Sequence, residues 1–156
     1  MSQAPDLYSI SSNITRELAA YASGMSYDDL STKARLVGKH ALLDWLGVTL
    51  AGGQEPLAAI LRDQAAAEGL GIQATLLGLG ETGSVSQAAL INGSAGHALD
   101  YDDVLGVFTG HPTVAVMPAV LALAERHGKD GKAVITAFVA GVETLARIGA
   151  MMSNCL

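Results

Sequence analysis

The chain has 156 residues, a formal net charge of −6 and one Cys, and only 15% of its residues are charged. Half of the residues are apolar, whereas 4% are aromatic and 18 are Gly. The apolar content excludes intrinsic disorder, the lone Cys155 excludes a disulfide scaffold, and the acidic balance argues against a nucleic-acid surface. Because the chain has so few charges for a solvent-exposed surface, we expect a domain partly covered by a partner, or an incomplete chain.

The sequence predicts neither a targeting segment nor a membrane segment. The N-terminus has no basic region and no apolar run of the signal-peptide kind. The longest apolar stretch, near residues 114–124, is interrupted by Pro118 and is shorter than the roughly 20 residues that a spanning helix needs. We therefore predict a cytoplasmic protein that binds neither a membrane nor nucleic acid.

The first half of the chain predicts three helices. Residues 1–12 are polar, so we expect a loosely ordered N-terminus before a folded region over 13–156. Apolar residues spaced three and four apart predict a long second helix, which the Gly52-Gly53 pair ends. The predicted helices cover residues 15–22, 30–49 and 56–68.

The second half predicts one short strand and three further helices. A β-leaning run over 73–77 precedes Ser84, which can cap a helix over 85–99. Small residues dominate this fourth helix and allow close packing, so we expect it at the centre of the fold. The last two predicted helices cover residues 113–127 and 132–152. The fold class is therefore all-α, with about six helices and at most one short strand.

Residues 78–83 match the G-x-G-x-x-G pattern of dinucleotide-binding loops. They follow a β-leaning run and open a helix, as that motif requires. However, no second Val/Ile-rich strand follows, because the chain continues with small residues and His97. We therefore favour a Gly-rich turn between a strand and a helix over a nucleotide site.

One loop and its borders concentrate the acidic and imidazole side chains. The cluster comprises His97, Asp100, Asp102, Asp103 and His111. Three interpretations stay open on these residues: a divalent metal site, a proton-transfer site, or helix capping at the two borders. The concentration of these groups in one loop favours function.

Two histidines lie away from this loop. His40 lies on the second helix, and we expect a partly buried packing residue. His127 ends the fifth helix, where a cation favours the helix dipole.

Four stretches, at residues 42–52, 89–103, 111–125 and 140–147, resemble the N-terminal part of the MmgE/PrpD family. That family includes 2-methylcitrate dehydratase, cis-aconitate decarboxylase and iminodisuccinate epimerase. The resemblance implies a cofactor-independent lyase or isomerase of small di- or tricarboxylates that forms homodimers through a helical domain. It covers only the first part of that domain, so we expect the 156 residues to lack the lid domain and the C-terminal helices.

The resemblance also implies roles for individual residues. Asp100 and His111 correspond to catalytic positions, and Asp103 and Val104 lie where substrate is bound. No metal and no cofactor are implied. Decarboxylase-type members carry Thr where this chain has Val104, and their loop is one residue shorter than residues 105–110, so both departures disfavour decarboxylation.

The resemblance leads to two expectations about activity. The basic residues that hold substrate carboxylates in the family lie largely outside this part, so we expect no, or barely detectable, lyase activity from the 156-residue chain. The alternative function is a non-catalytic helical module for dimerisation or interaction. An independent metal-binding helical domain is a third possibility.

Overall fold

The chain folds into six α-helices and one small hairpin in its described part. A computed structural model describes residues 7–107 and 109–153, with side chains for 13–107 and 109–152. The helices are α1 (Leu7–Gly24), α2 (Thr32–Gly52), α3 (Pro56–Glu68), α4 (Val85–His97), α5 (Pro112–Arg126) and α6 (Gly131–Ser153). The strands are β1 (Ala74–Leu76) and β2 (Glu81–Gly83). The predicted all-α class is confirmed.

The N-terminal helices differ from the prediction in their bounds. Helix α1 already includes residues 7–12, whereas residues 1–6, also predicted to be loose, lie outside the described residues. Helix α2 begins after Ser31, whose hydroxyl accepts a hydrogen bond from the Ala34 amide at 3.1 Å. Upstream of α2, Asp29 accepts the Ser26 amide at 2.9 Å and closes a short 3-10 turn.

The Gly-rich motif forms a hairpin turn. Strands β1 and β2 pair antiparallel, and Gly78 and Gly80 between them have φ values of 76° and 69°, which side chains disfavour. Two strands therefore replace the single predicted one. Both precede α4, whose N-terminus is capped by Ser84. The Gly-rich turn is therefore present, but it joins two strands rather than a strand and a helix, because residues 81–83 form β2.

Helix α4 lies at the centre, as its small residues predict. It packs against α2, α3, α5 and the hairpin, and buries Ala88, Ile91 and Ala95. Asn92 fixes the hairpin to this helix, because its amide accepts the Leu77 N–H at 2.9 Å and donates to the Thr75 carbonyl at 2.9 Å. A polar side chain can be buried here since both of its ends are hydrogen-bonded.

Helices α2 and α4 cross at two glycines. A Cβ on Gly52 would lie 2.0 Å from the Ala95 carbonyl oxygen, and one on Gly96 would lie 2.6 Å from Nε1 of Trp45. Neither position can carry a side chain without separating the helices. The crossing thus allows Trp45 to be completely buried.

A second layer forms where α5 and α6 pack on α2. Trp45, Met117 and Phe138 are its large buried side chains.

Residues 131–152 of α6 are long and apolar enough to span a membrane by length and composition alone. This is weak evidence for a membrane span, because core helices of soluble proteins meet the same criterion. The expectation for His40 is wrong, because this residue is exposed on α2.

An ion pair ties α3 to the hairpin. The guanidinium of Arg62 donates to both carboxylate oxygens of Glu81 on β2. This hydrogen bonding lowers the pKa of Glu81 below its ordinary value. The carboxylate therefore favours the folded state above the ordinary Glu pKa, and this contribution is lost as the pH falls through the lowered value.

We predict that Gly52→Ala destabilises the chain by about 1–3 kcal/mol, since the new methyl group meets backbone that cannot rotate away. Gly47→Ala, in the same helix, is the matched control because a Cβ there meets nothing within 4 Å. The control should be neutral or stabilising by about 0.5–1 kcal/mol. Urea unfolding followed by circular dichroism measures both. Equal stability of the two variants would contradict the close crossing.

Candidate active site

The candidate site begins where α4 ends. His97 is the last helical residue, and its carbonyl accepts the Asp100 amide at 3.1 Å. Asp100 has a φ of 54°, a left-handed conformation that Asp tolerates better than most residues. Two residues after this turn, the carboxylate of Asp102 contacts His97 at the helix end.

Asp102 is the buried centre of the site. Its side chain is only 1% exposed, and its two carboxylate oxygens lie 3.0 and 3.1 Å from Nδ1 of His97. Nδ1 of His111 lies 3.2 Å from one of these oxygens and 3.2 Å from the Asp102 backbone carbonyl. One carboxylate therefore contacts both imidazoles.

The two imidazoles form one surface feature. Their ring centroids are 4.7 Å apart, in an edge-to-face arrangement. His97 is half-exposed and His111 about a quarter exposed, so solvent or a ligand can reach both rings. Nε2 of His111 lies 3.7 Å from an oxygen of Asp100, whose side chain is largely exposed. His111 thus has a buried acid at one nitrogen and an exposed acid near the other.

Asp103 caps the first turn of α5. Its carboxylate accepts the Thr113 hydroxyl at 2.6 Å and the Thr113 amide at 3.2 Å. Thr113 is buried in the first turn of α5, which Pro112 begins. An anion at this end also favours the helix dipole. Asp103 therefore holds the start of α5, and with it His111, in place.

The loop before His111 is closed by its own backbone. The Leu105 amide donates to the Gly110 carbonyl at 2.8 Å, and Thr109 has a φ of 53°. Val104 is exposed beside this closure and offers no hydrogen-bonding group. The hydrogen bond thus brings the two ends of the loop together, so that the carboxylates before the loop lie near the imidazole of His111 after it.

The cluster has the composition of a metal site. In the described part of the chain, one possible ligand atom from each of His97, Asp100, Asp102 and His111 lies within 4.8 Å of the others. Imidazole and carboxylate ligands suit zinc-like ions, whose tetrahedral sites have ligand separations of about 3.3 Å. Both Nδ1 atoms are already partnered by Asp102, so hydrogen bonds account for the arrangement.

Four of the five clustered residues meet in space, and the fifth points to α5. Sequence reasoning placed catalysis on Asp100 and His111, and these do lie close together. It did not assign the roles of His97 and Asp102, although both belong to the cluster. The left-handed turn at Asp100 brings Asp102 to His97.

We predict that Asp103→Ala destabilises the chain by about 0.5–2 kcal/mol, because it leaves the first turn of α5 without its capping carboxylate. Asp100→Asn is the matched control, since this neighbouring side chain is largely exposed and Asn tolerates the left-handed backbone. Thermal or urea unfolding measures the difference. A larger loss of stability in the control would contradict the capping role of Asp103.

Comparisons with known proteins agree with this architecture. The chain matches the MmgE/PrpD N-terminal domain over residues 16–154. The cis-aconitate decarboxylase-like protein oryM of Aspergillus oryzae is 29% identical over 150 residues, which cover 90% of this chain and 30% of that protein. Cis-aconitate decarboxylase of Homo sapiens is 28% identical over 141 residues, covering 87% of this chain and 29% of that protein. The chain therefore spans about 30% of the length of these relatives. It belongs to the MmgE/PrpD family, of which it carries the N-terminal domain.

Proposed function

We propose that this chain supplies the acid–base part of an active site that moves a proton next to a carboxylate of a small di- or tricarboxylate. The observation that carries the proposal is His111, whose Nδ1 faces buried Asp102 while Nε2 faces exposed Asp100. An imidazole held in this way can accept a proton at Nε2 near neutral pH. The family membership and the named decarboxylases support this class of reaction.

The proposed step is a proton transfer from carbon. Nε2 of His111 takes the proton, and the electron pair of the broken C–H bond moves into the adjacent carboxyl group. In a dehydration, the departing hydroxide takes the proton from the imidazolium and leaves as water. In an epimerisation, solvent water protonates the other face, and the imidazolium returns its proton to the resulting hydroxide. In a decarboxylation, the C–C bond to CO2 breaks, and an acid, such as the imidazolium of His111, protonates the carbon instead. Asp100 stabilises the imidazolium in each case.

The reaction needs neither a cofactor nor a metal ion, because imidazole and carboxylates suffice for proton transfer. Asp103 and Val104 border the substrate position, with Asp103 acting mainly through α5. We place the protein in the cytoplasm, acting on a small carboxylate and binding neither a membrane nor nucleic acid.

Charge limits what the chain does alone. The stretch from Asp100 to His111 contains three Asp and no Lys or Arg. A carbanion-like state beside a carboxylate needs cations or hydrogen-bond donors that stabilise its charge. Because the chain spans about 30% of its relatives, we propose that such groups come from other parts of the family's architecture.

We predict that the 156-residue chain converts cis-aconitate or 2-methylcitrate at a barely detectable rate, yet catalyses slow proton exchange. Incubation in D2O followed by NMR measures deuterium incorporation into the substrate methylene groups. His111→Ala should reduce this incorporation by about 10²–10⁴-fold or to background, because the base is removed. His40→Ala, an exposed imidazole on α2, is the matched control and should not change it.

Two results would contradict this assignment. Incorporation that persists in His111→Ala would remove His111 from the chemistry. Complete absence of incorporation with both substrates would contradict proton abstraction by this chain. Rapid conversion that depends on His111 would instead contradict the need for further cationic groups.

A non-catalytic dimerisation module is the second candidate function, and one surface favours it. Helix α2 exposes Leu36, Leu43 and Leu50 at intervals of seven residues, which place them along one stripe of the helix. We call these three residues the α2 leucine stripe. An apolar stripe of this kind is typical of a surface that another chain covers.

We predict that the chain self-associates at micromolar concentration and that Leu43→Glu shifts it towards monomer by at least about tenfold in dissociation constant, because a charge is costly inside an apolar contact. Ile72→Glu is the control, since Ile72 is an exposed apolar residue outside the helices. Sedimentation velocity measures both variants. A monomeric wild-type chain would contradict the dimerisation function.

A further inference from the structure

The carboxylate of Asp102 is buried between two imidazoles. Its side chain is 1% exposed, and its ion-pair partners within the described residues are the imidazoles of His97 and His111. A carboxylate withdrawn from water needs hydrogen-bond donors at its oxygens. Each imidazole nitrogen near Asp102 can supply such a donor as a ring N–H, because carboxylate and carbonyl oxygens accept hydrogen bonds.

We propose that Asp102 is a positioning residue that holds both imidazoles in the tautomer with the proton on Nδ1. Both Nδ1 atoms lie within 3.2 Å of an Asp102 oxygen, and His111 Nδ1 additionally faces the Asp102 backbone carbonyl. A ring with a bare Nδ1 would place its lone pair against these oxygens. The Nδ1–H form is therefore favoured for both rings, whereas an imidazole side chain in water prefers the Nε2–H form.

The tautomer has a consequence for chemistry. With the proton on Nδ1, neutral His111 presents the lone pair of Nε2, the atom that faces Asp100. A lone pair at this atom is what proton abstraction requires, and the opposite tautomer would present an N–H that cannot accept a proton. This consequence rests on the proposed function, but the tautomer itself does not.

His97 has a supporting part in this arrangement. It contacts both oxygens of Asp102, at 3.0 and 3.1 Å, and its ring lies edge-to-face against His111. It thus fixes the rotation of the carboxylate that His111 uses. The three side chains form one chain of contacts, which we call the His97–Asp102–His111 relay.

The relay is tested by the ring nitrogen shifts of the 15N-labelled chain. Long-range 1H–15N spectra at about pH 8.5, where imidazole is neutral, distinguish protonated from bare nitrogens. His97 and His111 should show a protonated Nδ1 and a bare Nε2. His40 and His127, both exposed, serve as internal references and should show mainly the Nε2–H form.

Variants separate the two rings. In Asp102→Ala, His97 should return to the Nε2–H form because its partner is the side chain alone. His111 should keep part of its Nδ1–H population, since the backbone carbonyl remains. Asp44→Asn, at an exposed acid on α2, is the control and should leave both tautomers unchanged. The wild-type spectrum tests the assignment even if Asp102→Ala does not fold.

Three outcomes would overturn the relay. The first is an Nε2–H tautomer of His111 in the wild-type chain. The second is an unchanged His97 tautomer in folded Asp102→Ala. The third is a shift of both Nδ1 resonances at one equivalent of Zn²⁺, reversed by EDTA, which would identify the cluster as a metal site. Failure of the deuterium-exchange prediction would leave the tautomers untouched, so the two proposals fail separately.

Discussion

The close crossing of α2 and α4 is the constraint on which the rest of the structure depends. Gly52 lies against the backbone of Ala95, and Gly96 lies against the completely buried indole of Trp45, so these two contacts set the separation of the helices. A contact of this kind tolerates little sliding or rotation, because no rotamer change can absorb it. The residue that follows Gly96 is His97, and its position is therefore fixed by the core.

Three acids close to this fixed helix end lie in three different environments. Asp100 adopts the left-handed turn and stays in solvent, Asp102 is buried between two imidazoles, and Asp103 caps α5. Residues 100–103 therefore contact both the N-terminus of α5 and the imidazole rings of His97 and His111. A substitution that shifts α4 would displace His97 and alter its contact with Asp102, so the geometry of the site depends on core packing.

Local chemistry explains which features the sequence predicts well. Helix α3 has the predicted bounds because Pro56 begins it and Gly69 follows it, and α4 begins after Ser84 because that residue supplies a cap. Strand β2 was missed, since three residues carry too little periodicity and their pairing is with another segment. The exposure of His40 also depends on tertiary packing.

The same distinction applies to the site. Sequence identifies the loop because acids and imidazoles concentrate there. It does not identify which carboxylate is buried, since this depends on a positive φ at Asp100 and on closure between Leu105 and Gly110. Two neighbouring acids, Asp102 and Asp103, are equivalent in sequence terms and have unrelated partners in the fold.

The carboxylates of the site help to position the imidazole of His111 but oppose the binding of a dicarboxylate. The relay holds an imidazole in place, but a dicarboxylate approaching His111 also meets the exposed carboxylate of Asp100. Two like charges about 4 Å apart repel by about 1 kcal/mol in water and about 4 kcal/mol at an effective dielectric constant of 20. Binding energy for the proposed substrates must therefore come from cations outside the stretch from Asp100 to His111, which contains no Lys or Arg. Under the proposed function, the helical core fixes the position of the base, whereas the residues that bring the positive charge set the choice of substrate.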